Sequence, residues 1–419
     1  MDSTIMMNEI TARSKRSAER LAVISTDDKN KALIAMAEGL DQAREQIKKA
    51  NEKDLDVARE NGRNKAFIDR LTLGDARIDG MCDMMRNVAE LTDPVGEVLE
   101  TVKRPNGLVI EKVRVPIGVI GIIYEARPNV TADCVSLCLK SGNAVILRGG
   151  SDAINSNKAI YKALVAAVEP LGFDGGEFIL IEDTSRQLVD SMLVAVDGID
   201  LIMPRGGESL IREVVEKSKV PVIKHYKGIC HVYVDPGADL KMATRICLNA
   251  KVQRPGVCNA METMLVHEEV AQEFLPMVAA EMADNGVKIK GCAMTREILG
   301  EKIEAVTEED FATEWLDLVL NVKVVRSFEE ALAHISEFGS KHSDAIVTND
   351  EKTAEKFARR VDSASVYINA STRFHDGGEF GKGAEIGIST DKLHARGPMG
   401  LKELCSYKYV VRGAGQVRE

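Results

Sequence analysis

PIGVIGIIYEARPNVTADCVSLCLKSGNAVILRGG, residues 116–150, decides the fold. Pro116 to Tyr124 is dense in β-branched residues and carries no charge, which reads as a buried strand. Asn129 to Lys140 follows as a helix closed by Gly142, a residue suited to the left-handed angles that end helices. A second strand, Ala144 to Leu147, runs into Arg148-Gly149-Gly150-Ser151, and Asn155 to Val168 is the next helix. Phe178 to Ile181, Ile199 to Ile202 and Val222 to Lys224 repeat the pattern, with helices between them. Such alternation predicts an α/β fold on a parallel, doubly wound sheet. Ligands of these sheets gather at the carboxyl ends of the strands, among loops and helix N-termini.

Two of those loop ends are suggestive. Arg148-Gly149-Gly150-Ser151 and Pro204-Arg205-Gly206-Gly207-Glu208 each join a strand to a helix and combine glycine with arginine. A pyrophosphate needs that combination of close backbone approach and positive charge. Either loop alone is equally well read as an ordinary turn; two on one sheet favour a nucleotide site. Neither is G-x-G-x-x-G, and no G-x-x-x-x-G-K-[ST] string occurs.

Residues 1–92 read as helix, with apolar residues at helical spacing in Leu33, Met36, Ala37 and Leu40 and an N-cap at Thr26-Asp27-Asp28. This lead should pack on the flank of the sheet. After Asp93-Pro94-Val95-Gly96, short β-like runs flank Arg104-Pro105-Asn106-Gly107, so residues 96–115 form an inserted hairpin. Its edge is expected to pair with another subunit. Beyond the first sheet, Cys230 to Asp235 opens a second α/β unit with a helix at Ala238 to Ala250, a strand at Thr263 to His267 and further elements up to Asn369. The glycine-rich RFHDGGEFGKGAEIG, 373–387, should be a loop lying close to a ligand or another backbone. Glu403 to Val411 reads as a last strand, expected to meet the hairpin across a subunit interface. The boundaries that follow are 1–229, 230–372 and 373–419.

Within the second unit, QRPGVCNA at 253–260 carries the chemistry. A Pro-Gly turn should present Cys258 at the start of a short helix or in a tight loop. Backbone N–H groups aimed at the sulfur, with Arg254 and Lys251 nearby, would favour the thiolate, the form that attacks carbonyl carbon. The competing reading is that Cys258 is one more buried small hydrophobe.

Composition frames this. A chain of 419 residues, 45% apolar and 29% charged, has material for two large domains. A formal net charge of −10 gives no electrostatic case for nucleic acid or a membrane surface. None of the eight cysteines forms a C-x-x-C pair, so no metal site is expected, and Cys134 and Cys138 read as core. The N-terminus lacks the apolar region of a signal peptide, and no stretch is long enough to span a bilayer. A reducing cytoplasm fits.

With these residues in place, the chain resembles the aldehyde dehydrogenase superfamily over nearly its whole length. The strings that carry the likeness are 116–133, SGNAVILRGGSDAINSN at 141–157, MPRGGESLI at 203–211, VQRPGVCNAMETMLV at 252–266 and FHDGGEFGKGAEIGISTDKLHARGPMG at 374–400. The resemblance implies a Rossmann-like NADP(H) domain from the N-terminal half, a catalytic domain with Cys258 as nucleophile, and a small β oligomerisation element from the hairpin and last strand. By position, Arg148, Gly149, Gly150 and Ser151 face the adenosine ribose, and Gly206 and Gly207 the pyrophosphate. An arginine at that strand end, with no acidic residue to hold a free 2′-hydroxyl, implies NADPH over NADH. Within the superfamily the strings imply reduction of the acyl phosphate L-glutamyl 5-phosphate, a homo-oligomer, and a complex with the enzyme that makes this substrate, glutamate 5-kinase.

The departures matter equally. Hydrolytic members carry a glutamate that activates water, where this chain has His225-Tyr226-Lys227-Gly228. A reductase of an acyl phosphate gains by lacking it, because water at the thioester would waste the activated acyl group. The family's Trp-Asn pair is replaced by Glu125-Ala126-Arg127-Pro128-Asn129, leaving Asn129 or Arg127 as the donor that assists the Cys258 N–H at the oxyanion. For the substrate's phosphate and carboxylate the candidate cations are Arg254, Lys227, His225 and Arg373, with Arg127 beside them. A different acyl donor, such as a CoA thioester, would leave nucleophile and cofactor site unchanged; a scaffold that has lost its chemistry would have no need of the Cys258 loop.

Overall fold

The structure, a computed structural model, describes residues 3–418, the side chain of Ala66 excepted. The chain forms two compact units. One holds the residues up to Lys224 together with Gly381–Gly387 and the chain from Met399; the other holds His225–Phe380 and Ile388–Pro398. The glycine-rich stretch is therefore divided between them.

In the first unit five helices come before any strand: α1 (Ser3–Leu21), α2 (Thr26–Gln42), α3 (Arg44–Glu60), α4 (Lys65–Leu71) and α5 (Asp75–Glu90). The apolar stripe of α2 is wholly buried. Its N-cap is Ser25, one residue ahead of the expected trio, with Oγ accepting from the Asp28 N–H at 3.1 Å. Strands β1 (Val98–Lys103) and β2 (Val109–Pro116) make the expected hairpin, and Gly107 takes the positive φ of 88° that its turn requires. The C-terminal strand, Cys405–Arg412, adds antiparallel to the free edge of β2 in the same chain, with Cys405 opposite Pro116 and Arg412 opposite Val109. The third strand of this sheet therefore comes from the same chain, which corrects the expectation that it would meet the hairpin across a subunit interface. The chain re-enters this unit at Met399, close enough in sequence to deliver the strand to its own hairpin.

The sheet at the centre of this unit follows β3 (Val119–Tyr124), α6 (Val130–Lys140), β4 (Ala144–Gly149), α7 (Ile154–Val168), β5 (Phe178–Leu180), α8 (Arg186–Leu193), β6 (Leu201–Arg205) and α9 (Glu208–Lys217). Its four strands are parallel, in the order β5-β4-β3-β6. Every residue of β3 is buried, as a strand with neighbours on both sides and both faces requires. Helix α2 lies along α5 and α7, and α3 along α7, so the helical lead does cover the flank. Val222 to Lys224 is not a strand: Val222 makes one isolated bridge to Ile202, after which the chain leaves for the other unit. Chain order reverses between β3 and β6, so the loops after these strands part there.

The second unit runs β7 (Cys230–Val234), α10 (Leu240–Val252), β8 (Met261–His267), α11 (Glu268–Asp284), β9 (Lys288–Gly291), α12 (Ala293–Leu299), β10 (Glu304–Ala305), α13 (Glu308–Phe311), β11 (Val319–Val325), α14 (Phe328–Phe338), β12 (Ser343–Val347), α15 (Glu351–Arg360) and β13 (Ser365–Ile368). Its seven strands, all parallel, lie in the order β10-β9-β11-β8-β7-β12-β13. Alternate residues serve opposite faces. Val232, Met264 and Val266 join the core with Phe274 of α11, while Tyr233, Leu265 and Ile346 pack with Phe357 of α15. No helix among the described residues is long and apolar enough to cross a membrane.

Candidate active site

Cys258 is half-buried in an irregular loop between α10 and β8. Of the two forms expected, the structure has the loop and not the helix. Gly256 is not among the residues at positive φ, and a Cβ there would meet nothing nearer than the Leu316 carbonyl at 3.7 Å. The Pro-Gly pair therefore ends α10 without supplying an unusual angle. The glycine that shapes the loop is Gly228, where any Cβ would overlap the Cys258 carbonyl and Cα. Side chains then hold the loop in place. The Cys230 thiol donates to the Cys258 carbonyl at 3.2 Å, and Thr372 Oγ1 donates to the Asn259 carbonyl at 2.7 Å. Asn259 Nδ2 donates to the His375 carbonyl at 2.9 Å. Arg373 donates through Nε to Gln253 at 2.8 Å and through Nη1 to Asn259 Oδ1. Burial holds the Cys230 thiol far above its ordinary pKa, so it remains a neutral donor.

Lys251 does not serve the sulfur. Its ammonium is fully buried against Glu262 Oε2 at 2.8 Å, so its charge is spent in an internal pair. Burial raises the Glu262 carboxyl, and Lys251 opposes that rise. Arg254 is exposed. Arg373 is half-buried, and burial followed by the Arg254 charge lowers its pKa, so two like charges stand close together beside the Cys258 loop. Lys227 reaches the Ala312 carbonyl at 3.4 Å, and Glu314 accepts from the Gly228 N–H at 2.8 Å.

Strands β7, β8 and β12 are neighbours and start at Cys230, Met261 and Ser343. His225, Gly228, Cys258 and His342 all precede these starts, which places Cys258 at the amino edge of this sheet. The carboxyl-end rule read from the sequence applies to the first unit only. Three histidines meet at the amino edge. His225 and His342 have ring centroids 5.6 Å apart, and His342 and His375 4.7 Å. Ser343 Oγ links His342 Nδ1 at 2.8 Å to His375 Nδ1 at 2.6 Å. His225 Nδ1 donates to the Ile388 carbonyl at 2.9 Å, which leaves Nε2 as the ring's lone-pair side. Burial first, then His375 and His225, push His342 far below the usual histidine range, so it is neutral. Beneath them Asp344 accepts from His231 Nδ1 at 2.8 Å.

The remaining candidates belong to the first unit. Arg148, at the end of β4, donates to the Gly149 carbonyl at 3.0 Å and the Thr184 carbonyl at 2.7 Å, while its buried Nε has no partner. Gly149 lies where a Cβ would strike Asn157, and Gly150 donates to the Tyr124 carbonyl at 2.7 Å. Ser151 opens a short 3-10 turn ahead of α7. At the switch point Glu125 Oε2 accepts from the Gly207 N–H at 2.8 Å, and a Cβ on Gly206 would run into the same carboxylate. An anionic group thus already rests on the N-terminus of α9, the place assigned to pyrophosphate. Arg127 is exposed, its N–H bonded to the Glu125 carbonyl at 2.6 Å. Asn129 stands at the head of α6 with Nδ2 on Asp133 Oδ2 at 2.9 Å.

Asp133 offers a pH test. Burial raises its carboxyl to about 6, against the opposing effects of Asn129 and Arg205. A folded-state pKa above the unfolded value contributes stability in full below the unfolded pKa, and that stability is lost as pH rises through 6. The separation is worth about 2–3 kcal/mol. Asp133→Asn is expected to raise the thermal midpoint by several degrees at pH 8 and to change it little at pH 4. The same difference at both pH values would refute this reading.

A family model described as aldehyde dehydrogenase family matches residues 5–295, a span that includes Cys258 and every cofactor candidate. The chain belongs to the aldehyde dehydrogenase family. Within this family of oxidoreductases, the gamma-glutamyl phosphate reductase of Thermodesulfovibrio yellowstonii is 55% identical over 406 residues, covering 97% of either chain. That of Caldanaerobacter subterraneus subsp. tengcongensis is 56% identical over 407 residues, covering 97% of this chain and 98% of its own. The crystal structure of gamma-glutamyl phosphate reductase from Thermotoga maritima superposes with a TM-score of 0.96 at 48% identity, covering 98% of this chain and 99% of that one. The architecture is accordingly the aldehyde dehydrogenase α/β fold.

Against that family background, sequence reasoning missed Gly228 as the loop's packing partner, Cys230 as its thiol donor, and His342, Ser343 and His375. Ser340-Lys341-His342-Ser343 matches no motif, and only the pairing of β12 with β7 brings it near Cys258. Gly228 was visible in the sequence, though without any sign of what it touches.

Proposed function

We propose that this chain reduces L-glutamyl 5-phosphate to L-glutamate 5-semialdehyde with NADPH, releasing phosphate, as the second step of proline biosynthesis from glutamate. The observation that carries the reading is the Cys258 loop: a half-buried thiol fixed by Gly228, Cys230 and Arg373, with Arg254 and Arg373 beside it and histidine in place of a water-activating glutamate at 225. The names of the relatives supply the substrate.

The Cys258 thiolate attacks the γ-acyl carbon; a C–S bond forms, the bond from that carbon to the bridging oxygen breaks, and phosphate leaves with the electron pair. Arg254, Arg373, Lys227 and His225 are the groups that would bind the phosphate and carboxylate. The Cys258 N–H, with Asn129 or Arg127, would receive the oxyanion. A nicotinamide cofactor held by Arg148, Gly149, Gly150, Ser151, Gly206 and Gly207 would supply the hydride that the thioester carbon accepts. Collapse of the resulting thiohemiacetal then breaks the C–S bond, frees the aldehyde and restores the thiolate.

Features of the first unit fit such a cofactor: the unpartnered Arg148 Nε at the end of β4, and an α9 N-terminus whose Gly207 N–H already donates to a carboxylate, next to the residues proposed to hold it, Gly149, Gly150, Ser151 and Gly206. Arg148 at the β4 end supports NADP(H) over NAD(H). The exposed Tyr407, Tyr409 and Val411 of the last strand support a homo-oligomeric contact on the three-stranded sheet. Eight free cysteines support a cytoplasmic setting. The lability of an acyl phosphate is the physical reason for direct transfer from glutamate 5-kinase.

The deciding experiment is the reverse reaction with glutamate semialdehyde and NADP⁺, followed by NADPH absorbance. Activity is expected only with inorganic phosphate present, and at least about tenfold lower with NAD⁺, as loss of an arginine–phosphate contact predicts. Reduction of NADP⁺ without phosphate would make water the acceptor and overturn the acyl-phosphate reading; equal rates with NAD⁺ would remove the cofactor preference.

A further inference from the structure

Among the described residues one group has the geometry of a metal centre. Cys258 Sγ and one ring nitrogen each from His225 and His342 lie within 4.8 Å of one another. Three segments far apart in sequence supply them: the approach to β7, the α10–β8 loop and the start of β12. All three belong to the second unit.

The donor set has a definite preference. One thiolate and two neutral imidazoles form a borderline-soft set suited to Zn²⁺, Cd²⁺ or Co²⁺ in tetrahedral coordination, with a fourth position open to water. Hard cations such as Mg²⁺ and Ca²⁺ prefer oxygen. The orienting contacts are already made. His225 holds the Ile388 carbonyl through Nδ1, and His342 holds Ser343 Oγ through Nδ1, so one nitrogen of each ring is committed to an orienting bond. Such second-layer bonds set the tautomer and direction of metal-binding histidines. His342 is fully buried and its Nε2 has no hydrogen-bond partner. A buried polar atom left in that state is costly unless a ligand completes it. Tetrahedral bonds of about 2.0–2.3 Å require the three donors to close by roughly 1 Å, within the reach of side-chain torsions. The sequence could not show this site, because metal motifs are recognised by close spacing and these ligands lie 33 and 84 positions apart.

We infer that His225, Cys258 and His342 form a site for a thiophilic divalent cation, Zn²⁺ above all, which binds reversibly and takes the nucleophile out of action. Binding replaces the S–H bond of Cys258 with an S–metal bond and releases the proton to solvent; nothing is oxidised or reduced. Metal then competes with any electrophile for the sulfur. The inference does not depend on the identity of the substrate, since the binding readouts below need no turnover.

The test uses chelator-treated full-length protein. Titration with Co²⁺ is expected to give one equivalent of tightly bound metal with a near-ultraviolet thiolate-to-cobalt band and the visible bands of a tetrahedral ion. Zn²⁺ should abolish both, and should slow iodoacetamide labelling of Cys258 by about tenfold or more, reversibly with EDTA. Cys258→Ser should lose the charge-transfer band, and His342→Gln should weaken Zn²⁺ binding by roughly 100-fold, measured against a chromophoric chelator. If His342→Gln does not fold, His225→Gln provides the same comparison. A wild-type protein that shows no cobalt–thiolate band, or one whose metal affinity is unchanged by Cys258→Ser, would overturn the site.

Discussion

Replacing Cys258 with alanine is expected to lower reduction of L-glutamyl 5-phosphate by on the order of 10⁴-fold or more, while NADPH binds as before. The size follows from the proposed role: in that mechanism, loss of the sulfur removes the covalent acyl intermediate and leaves only groups that position the substrate. That loss corresponds to about 5–6 kcal/mol of transition-state stabilisation. Folding should be unaffected. The side chain is half-buried in a loop held by Cys230, Thr372 and Arg373 through backbone and neighbouring atoms, none of which the substitution removes. Steady-state rates with fluorescence titration of NADPH separate the two effects. Turnover within tenfold of wild type would dismiss Cys258 as nucleophile, and lost NADPH binding would mean that the variant had damaged more than the sulfur.

Gly228→Ala should have the next largest effect. The added methyl group has no room, because its position overlaps the Cys258 carbonyl and Cα, so the loop must shift by an ångström or more. Displacement on that scale costs on the order of 100-fold in rate when a reacting atom is involved. The Gly228 N–H bond to Glu314 would be strained in the same movement. Gly256→Ala is the control: its Cβ finds the Leu316 carbonyl at 3.7 Å, ordinary contact distance, and its backbone angle suits any residue. Activity of that variant should stay within about twofold of wild type. Measured kcat for the two alanine variants decides the matter, and similar values would show that the bare Cα of Gly228 is not what places the nucleophile.

The first sheet was readable because its strands are short, β-branched and separated by complete helices, so periodicity alone located β3, β4, β5 and β6. Val222 to Lys224 looked the same over three residues and failed, since pairing there ends after a single bridge. Local pattern also gave the hairpin at Asn106-Gly107, yet it could not say which chain would supply the third strand. The site divides along the same line. Cys258 and the glycine-arginine loops announce themselves through neighbours in sequence. Lys251 looked like a partner for the sulfur by proximity along the chain, but α10 carries it to the buried Glu262 instead. His375 meets His342 and Ser343 only through the pairing of β13 with β12 and the return of the chain after β13, and only the pairing of β12 with β7 sets the pair beside Cys230, contacts that no spacing rule encodes.

The strand Cys405–Arg412 has a bearing on how the molecule is made. It pairs with β2 from the opposite end of the chain, and the unit it completes is interrupted by nearly all of the other. During synthesis β2 emerges first and must wait with one edge open until residues 405–412, about 290 positions later, have left the ribosome. The second unit, continuous but for a short segment, can gather its parallel sheet in the meantime. Loop closure over that separation is slow, and an open edge in the interval is a surface on which nascent chains stick to one another. A ribosome that stalls before residue 405 therefore leaves behind a chain with an unprotected strand, open to association until the eight residues of Cys405–Arg412 arrive.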